Sequence, residues 1–245
     1  MCEICGNPSL THAPSYSRRN FLKLVGGAGA ALALPVRALW AAGEIPKPEN
    51  VLTPHEALER LKRGNERYVT GVMKRHDFGA ERGALAGGQN PFAGILSCAD
   101  SRIAPEYAFD TGRGDLFVVR VAGNFMNEDV LASFEYAVKF LSTPLLVVLG
   151  HEKCGAVDAA IKTVKDGAEL PGHLPHLVEH IRPAVQAAMK EPGDLLANAI
   201  RENVRLTVED LKTATPVLTR YVAEEKIRVV GGIYQLKTGG IDWLS

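Results

Sequence analysis

Two short segments carry residue types that belong together chemically. Ser97-Cys98-Ala99-Asp100-Ser101-Arg102 offers a thiol, a carboxylate and a guanidinium, and Gly150-His151-Glu152-Lys153-Cys154-Gly155 offers an imidazole and a second thiol. Two thiolates and one imidazole suit zinc in softness and in count. Three protein ligands leave the fourth tetrahedral position for water, which is the pattern of a catalytic site rather than a structural one. A helix opening at Cys154 would add backbone N–H groups that favour its thiolate. The same residues have a plainer reading, in which Cys98 and Cys154 are small buried hydrophobes and His151 caps a strand. A single H-x-x-C is a weak pattern, and spacing alone leaves both readings open. A cysteine nucleophile cradling phosphate would want its arginine six positions on, where Ala104 stands. Arg102 is therefore free to pair with Asp100 and hold that carboxylate ionised and aimed, although a D-x-R pair is also a common surface salt bridge.

For Cys98, His151 and Cys154 to meet, they must leave neighbouring strands at the same end of a sheet, where ligands of open parallel sheets collect. The pattern supports such a sheet. Thr53-Pro54-His55-Glu56 supplies an N-cap, a proline at the first helical position and an acid at the third, opening a helix to about residue 68. Apolar runs at 92–97, 116–121 and 145–149 then alternate with helical stretches at 105–109, 128–141 and from 154 on. Helices are expected at 175–190 and 194–224, with closing strands at 227–230 and 233–236. Short β-branched runs between helices predict an α/β fold: a single domain with a central, mostly parallel β-sheet flanked by helices, over residues 44–245.

The chain has 245 residues, 46% apolar and 23% charged, which excludes collagen-like, disordered and multi-span membrane classes. Lys plus Arg and Asp plus Glu stand at 28 each, so nothing in the charge points to nucleic acid. Residues 1–43 read as an export leader: Ser17-Arg18-Arg19-Asn20-Phe21-Leu22-Lys23 precedes a Gly/Ala-rich apolar run at 24–36, the layout of a twin-arginine signal. That run is shorter than the about 20 residues of a permanent anchor. Small residues at 36–38 and 41–43 both offer cleavage positions. Removing the leader takes four basic residues and one acidic one, leaving a mildly acidic mature chain of 24 against 27. The expected partner of the leader is the twin-arginine translocase, and the expected destination is the periplasm. Passage in the folded state would let metal load first and would protect the ligand thiols. Cys2 and Cys5 lack a second half at matching spacing, and Gly27-Ala28-Gly29 lacks the strand a dinucleotide loop needs.

The sequence resembles the β-class carbonic anhydrases. The resemblance rests on Cys98-Ala99-Asp100-Ser101-Arg102, on Gly114-Asp115-Leu116-Phe117-Val118-Val119-Arg120 with Ala122-Gly123-Asn124, and on Gly150-His151 with Cys154-Gly155-Ala156; a fainter echo is Gly232-Ile233-Tyr234 with Thr238-Gly239. It spans about residues 53 to 241. It implies reversible hydration of CO2 to bicarbonate, one Zn2+ per chain held by Cys98, His151 and Cys154, and Asp100 with Arg102 as the dyad beside the metal-bound water. Gln89 matches a glutamine that donates to substrate, and Phe117 and Tyr136 match pocket residues. CO2 is then expected against Ile95, Phe117 and Ala122. Another branch has a tryptophan at position 95, part of an inhibitory bicarbonate site, which Ile95 does not provide. Ala122 is smaller than the usual valine, and Gln235 stands where an acid is common. The family also implies a homodimer or higher homo-oligomer with the site near the subunit boundary. Competing readings are a CS2 or carbonyl sulfide hydrolase on the same fold and a non-catalytic zinc-binding relative. His76, in a polar stretch, is the one histidine weighed as a proton shuttle, against its reading as a solvated surface residue.

Overall fold

A computed structural model describes residues 51–244; the twin-arginine segment, both cleavage positions, Cys2 and Cys5 lie outside them. The first described helix, α1 (Pro54–Thr70), starts as its residues dictate. The Thr53 hydroxyl accepts the Glu56 N–H at 3.2 Å, the Glu56 carboxylate accepts the Thr53 N–H at 2.8 Å, and Pro54 takes the first helical position, where no N–H is needed.

After α2 (Phe78–Ala86), strand β1 (Ala93–Ser97) leads through the short α3 (Pro105–Ala108) to β2 (Leu116–Arg120). Then come α4 (Glu128–Leu141), β3 (Leu145–His151), α5 (Gly155–Asp166), α6 (Leu174–Ala188), α7 (Leu195–Thr213), α8 (Leu218–Ala223), β4 (Arg228–Tyr234) and β5 (Ile241–Leu244). The strand order is β2-β1-β3-β4-β5, with β1 to β4 parallel and β5 antiparallel. β1 and β3 are direct neighbours, with Ser97 beside Leu149, so the two motifs emerge side by side.

Side chains of a strand alternate between the faces of the sheet. Ala93 and Ile95 of β1 and Leu145, Val147 and Leu149 of β3 pack into one core cluster with Ala57, Leu58 and Leu61 of α1. Leu96, Leu146 and Val148 face the other way, into a cluster with Phe134 of α4, Val157 of α5, Ile181 of α6 and Val204 of α7; Cys98 and Cys154 belong to this second cluster. Burial on both faces is why the strands read as continuous apolar runs.

Two expected elements differ. The stretch 194–224 is two helices, α7 and α8, because Pro216 has no N–H to continue the ladder. The two closing strands expected at 227–230 and 233–236 are one strand, β4, which runs straight through Gly231 and Gly232. The antiparallel partner is β5, reached after a turn in which the Gln235 N–H donates to Gly240 O at 2.8 Å. The two glycines serve packing: a Cβ on Gly231 would meet Val204 at 2.7 Å, and one on Gly232 would meet Ile241 at 2.8 Å.

Candidate metal centre

Cys98 follows β1 directly, His151 is the last residue of β3, and Cys154 is the N-cap of α5. All three are buried, and their ligating atoms lie within 4.8 Å of one another. The two sulfurs are 4.0 Å apart; two sulfurs each 2.3 Å from one tetrahedral centre would be about 3.8 Å apart. His151 Nδ1 lies 2.8 Å from Glu152 O. A carbonyl only accepts, so Nδ1 carries the proton and Nε2 keeps its lone pair. That Nε2 is buried and has no hydrogen-bond partner among the described residues. An imidazole fixed through Nδ1 with a buried, unused Nε2 is the arrangement of a metal-ligating histidine.

The thiols behave as a pair. The Cys154 side chain draws the Cys98 thiol down to about 4, aided by the backbone N–H groups of Gly123 and Asp100. Cys98 in turn, together with burial, pushes Cys154 up.

Asp100 is gripped by a fork. Arg102 donates from Nε to Oδ1 at 2.9 Å and from Nη2 to Oδ2 at 2.6 Å, and its backbone N–H donates to Oδ1 at 2.9 Å. This pairing holds the Asp100 carboxyl well below the usual carboxylate range. Asp100 Oδ2 stands 3.9 Å from His151 Nε2, beside the ligand cluster and outside it. Arg102 Nη2 also donates to Lys153 O at 3.2 Å, which ties the first motif to the second.

Three residues without a sequence-based role hold this corner together. Arg120, at the end of β2, donates to Cys98 O at 3.0 Å and to Asp100 O at 2.7 Å. Its signal was available, since strand register sets Arg120 beside Ser97. The Gly123 N–H donates to Cys98 Sγ at 3.3 Å, and Asn203 on α7 donates from Nδ2 to Gly123 O at 2.8 Å. Nothing in the sequence around Asn203 announces this.

The expected substrate residues are placed unevenly. Ile95 is fully buried in the α1-side cluster, while Cys98 belongs to the opposite one. Ala122 is half-buried in the turn that carries Gly123. Phe117 is half-buried on β2 with its ring 6.3 Å from that of Tyr136, which is 48% exposed on α4. Gln89 is exposed in the connection to β1. His76 sits 3.4 Å from Glu81 and 4.0 Å from Asp110, within a charge cluster of its own.

Residues 93–241 match the carbonic anhydrase family, and residues 15–35 match the twin-arginine translocation signal, which directs export across the membrane. The chain is 40% identical to carbonic anhydrase 2 of Mycobacterium tuberculosis over 187 residues, covering 76% of this chain and 90% of that one. It is 37% identical to a carbonic anhydrase of Mycolicibacterium smegmatis, covering 78% and 94%. Among solved structures it is similar to the β-carbonic anhydrase CcaA (26% identity, 78% of this chain and 92% of that one, TM-score 0.59). It is also similar to a β-carbonic anhydrase of Sordaria macrospora, one of two described as tetrameric (27% identity, 66% and 84%, TM-score 0.59). With the ligand cluster and its dyad at the carboxyl ends of adjacent parallel strands, the chain belongs to the β-carbonic anhydrases, enzymes that hydrate CO2 reversibly.

Proposed function

We propose that this enzyme works on one zinc ion per chain, held by Cys98 Sγ, His151 Nε2 and Cys154 Sγ, with Asp100 as the catalytic carboxylate. The observation that carries this reading is the buried His151 Nε2, left without a hydrogen-bond partner and converging with two sulfurs 4.0 Å apart. Zinc, when bound, acidifies a water from a pKa of 15.7 toward about 7 and so supplies the nucleophile. Two thiolate donors offset much of the cation's charge, and the chain's own groups must complete the activation. Asp100, kept ionised by the Arg102 fork, can only accept a hydrogen bond, so it orients the reacting water and aims a lone pair at the carbon. Arg102 is a positioning residue. It acts by denying Asp100 both a proton and the freedom to swing onto the metal.

Phe117, Ala122 and Tyr136 are assigned as apolar walls for CO2, with the Gln89 amide donating to a substrate oxygen. Support comes from a row of rings that begins with Phe117 on the edge strand β2 and continues with Tyr136 and Phe140 on α4, these two 5.4 Å apart and Phe140 67% exposed. A second copy of the chain covering this row gives a homodimer in which each subunit helps close the other's site. Larger assemblies built from such dimers fit the tetrameric relatives. The enzyme's destination is the periplasm, a reading supported by the export signal; among the described residues no helix is long and apolar enough to cross a membrane.

The test compares wild type with Asp100→Asn. Zinc should remain at one per chain in both, while CO2 hydration in the variant falls on the order of 100-fold or more. Unchanged turnover removes Asp100 from the mechanism, and a wild-type enzyme active without zinc removes the metal.

A further inference from the structure

We infer that Asn203 is a positioning residue of the metal centre, acting through Gly123 to aim a backbone N–H at the Cys98 sulfur; this rests on the zinc reading above. The turn that follows β2 is fastened to the sheet by the Val121 N–H on Ser97 O at 3.1 Å and closed by the Asn124 N–H on Val121 O at 2.9 Å. Gly123 sits inside it with φ +86, a conformation that disfavours side chains, and a Cβ there would meet Ile181 at 2.5 Å and Ala156 at 3.3 Å. Glycine is thus imposed on a residue whose N–H reaches the Cys98 sulfur, at 3.3 Å. Glycine is also the residue least able to hold its own dihedrals. Its orientation has to be supplied from outside, and the Asn203 amide does so by holding the Gly123 carbonyl at 2.8 Å.

Asn203 is 3% exposed on α7, where the buried residues include apolar Ala199, Ile200, Val204 and Val208 and polar Asn198, Glu202 and Thr207. A buried amide is costly unless paired, and the Gly123 carbonyl is the partner of this one. Its nitrogen must face the carbonyl, since two oxygens would repel. The chain of bonds runs Asn203 Nδ2 to Gly123 O, then Gly123 N–H to Cys98 Sγ. Partners of this outer kind set the direction of a ligand and draw off part of its charge, and here two thiolates load the metal with charge.

The experiment uses the full mature enzyme with 113Cd exchanged for zinc. A hydrogen bond to a cadmium-bound sulfur transmits scalar coupling from cadmium to the amide proton. The wild type should show such coupling at the Gly123 amide. Asn203→Leu, of similar size and without a donor, and Asn203→Ala, which admits water to the carbonyl, should both lose or attenuate it. Both should also release zinc to a chelator roughly 10-fold faster or more, with size and far-ultraviolet circular dichroism unchanged. Two readouts overturn the inference: a wild type that binds cadmium without coupling at Gly123, or a folded variant with wild-type coupling and zinc release. A wild type that takes up no cadmium or zinc overturns the metal reading first and this one with it.

Discussion

Both sides of the sheet bury polar side chains, and the two sets are balanced differently. On the α1 side, Asp110 pairs with Arg67, Asp115 with Arg60 at 3.1 Å, and Asn65 bridges Ala108 O at 2.9 Å and Gly239 O at 2.8 Å. Each charge there has its opposite. At the carboxyl ends of β1 and β3, two thiols and an imidazole converge, yet the nearby guanidiniums are committed elsewhere. Arg102 holds Asp100, and Arg120 holds two backbone carbonyls. A network that only stabilises the fold closes on itself, whereas this one keeps a place for a cation.

The largest expected effect follows from that open place. His151→Ala removes one of the three proposed ligands, and the variant should bind no zinc and fall to the uncatalysed rate of CO2 hydration while remaining folded, as metal analysis, stopped-flow assay and circular dichroism would show. The His151 ring is committed through Nδ1 to the Glu152 carbonyl, a contact with the next residue in the chain. A variant that keeps zinc and turnover would end the contrast between the two regions.

Much of this corner was legible in the sequence, because the ligand types and their place after apolar runs are set by local chemistry. The strands β1 and β3 read clearly for the same reason: buried on both faces, they carry almost nothing but apolar side chains. What was misread depended on distant partners. Gly231-Gly232 looks like a turn until Val204 and Ile241 are seen to occupy the space of the missing Cβ atoms. Asn203 lies 80 residues from Gly123, so no local pattern could link them. Arg120 falls between these cases, since parallel register carries it to Ser97 once β1 and β2 are paired.

The next effect separates charge that folds from charge that works. Asp110 has a fully buried side chain against Arg67 and a backbone φ of +45, a conformation asparagine tolerates. Asp110→Asn therefore removes charge with little backbone penalty. It should cost about 3 kcal/mol, the low end for breaking a buried pair because Arg67 retains some solvent. The midpoint of urea denaturation reads the loss, and zinc content and turnover per folded molecule should stay at wild-type levels. An equal fall in zinc content would mean the two regions are one network.

The smallest effect sharpens the comparison most, because it sets one buried asparagine against another. Asn65→Leu strips the donors from Ala108 O and Gly239 O, just as Asn203→Leu strips the donor from Gly123 O. The cost of leaving buried carbonyls short of a partner should be about 2 kcal/mol for Asn65. Asn65 reaches α3 and the turn before β5, neither of which touches a ligand, so its variant should release zinc to a chelator at the wild-type rate. Stability alone would then shift for Asn65, and metal retention would shift for Asn203. If both variants released zinc alike, the effect at Asn203 would be general loosening of the fold. Divergence between them assigns the difference to the N–H that reaches Cys98.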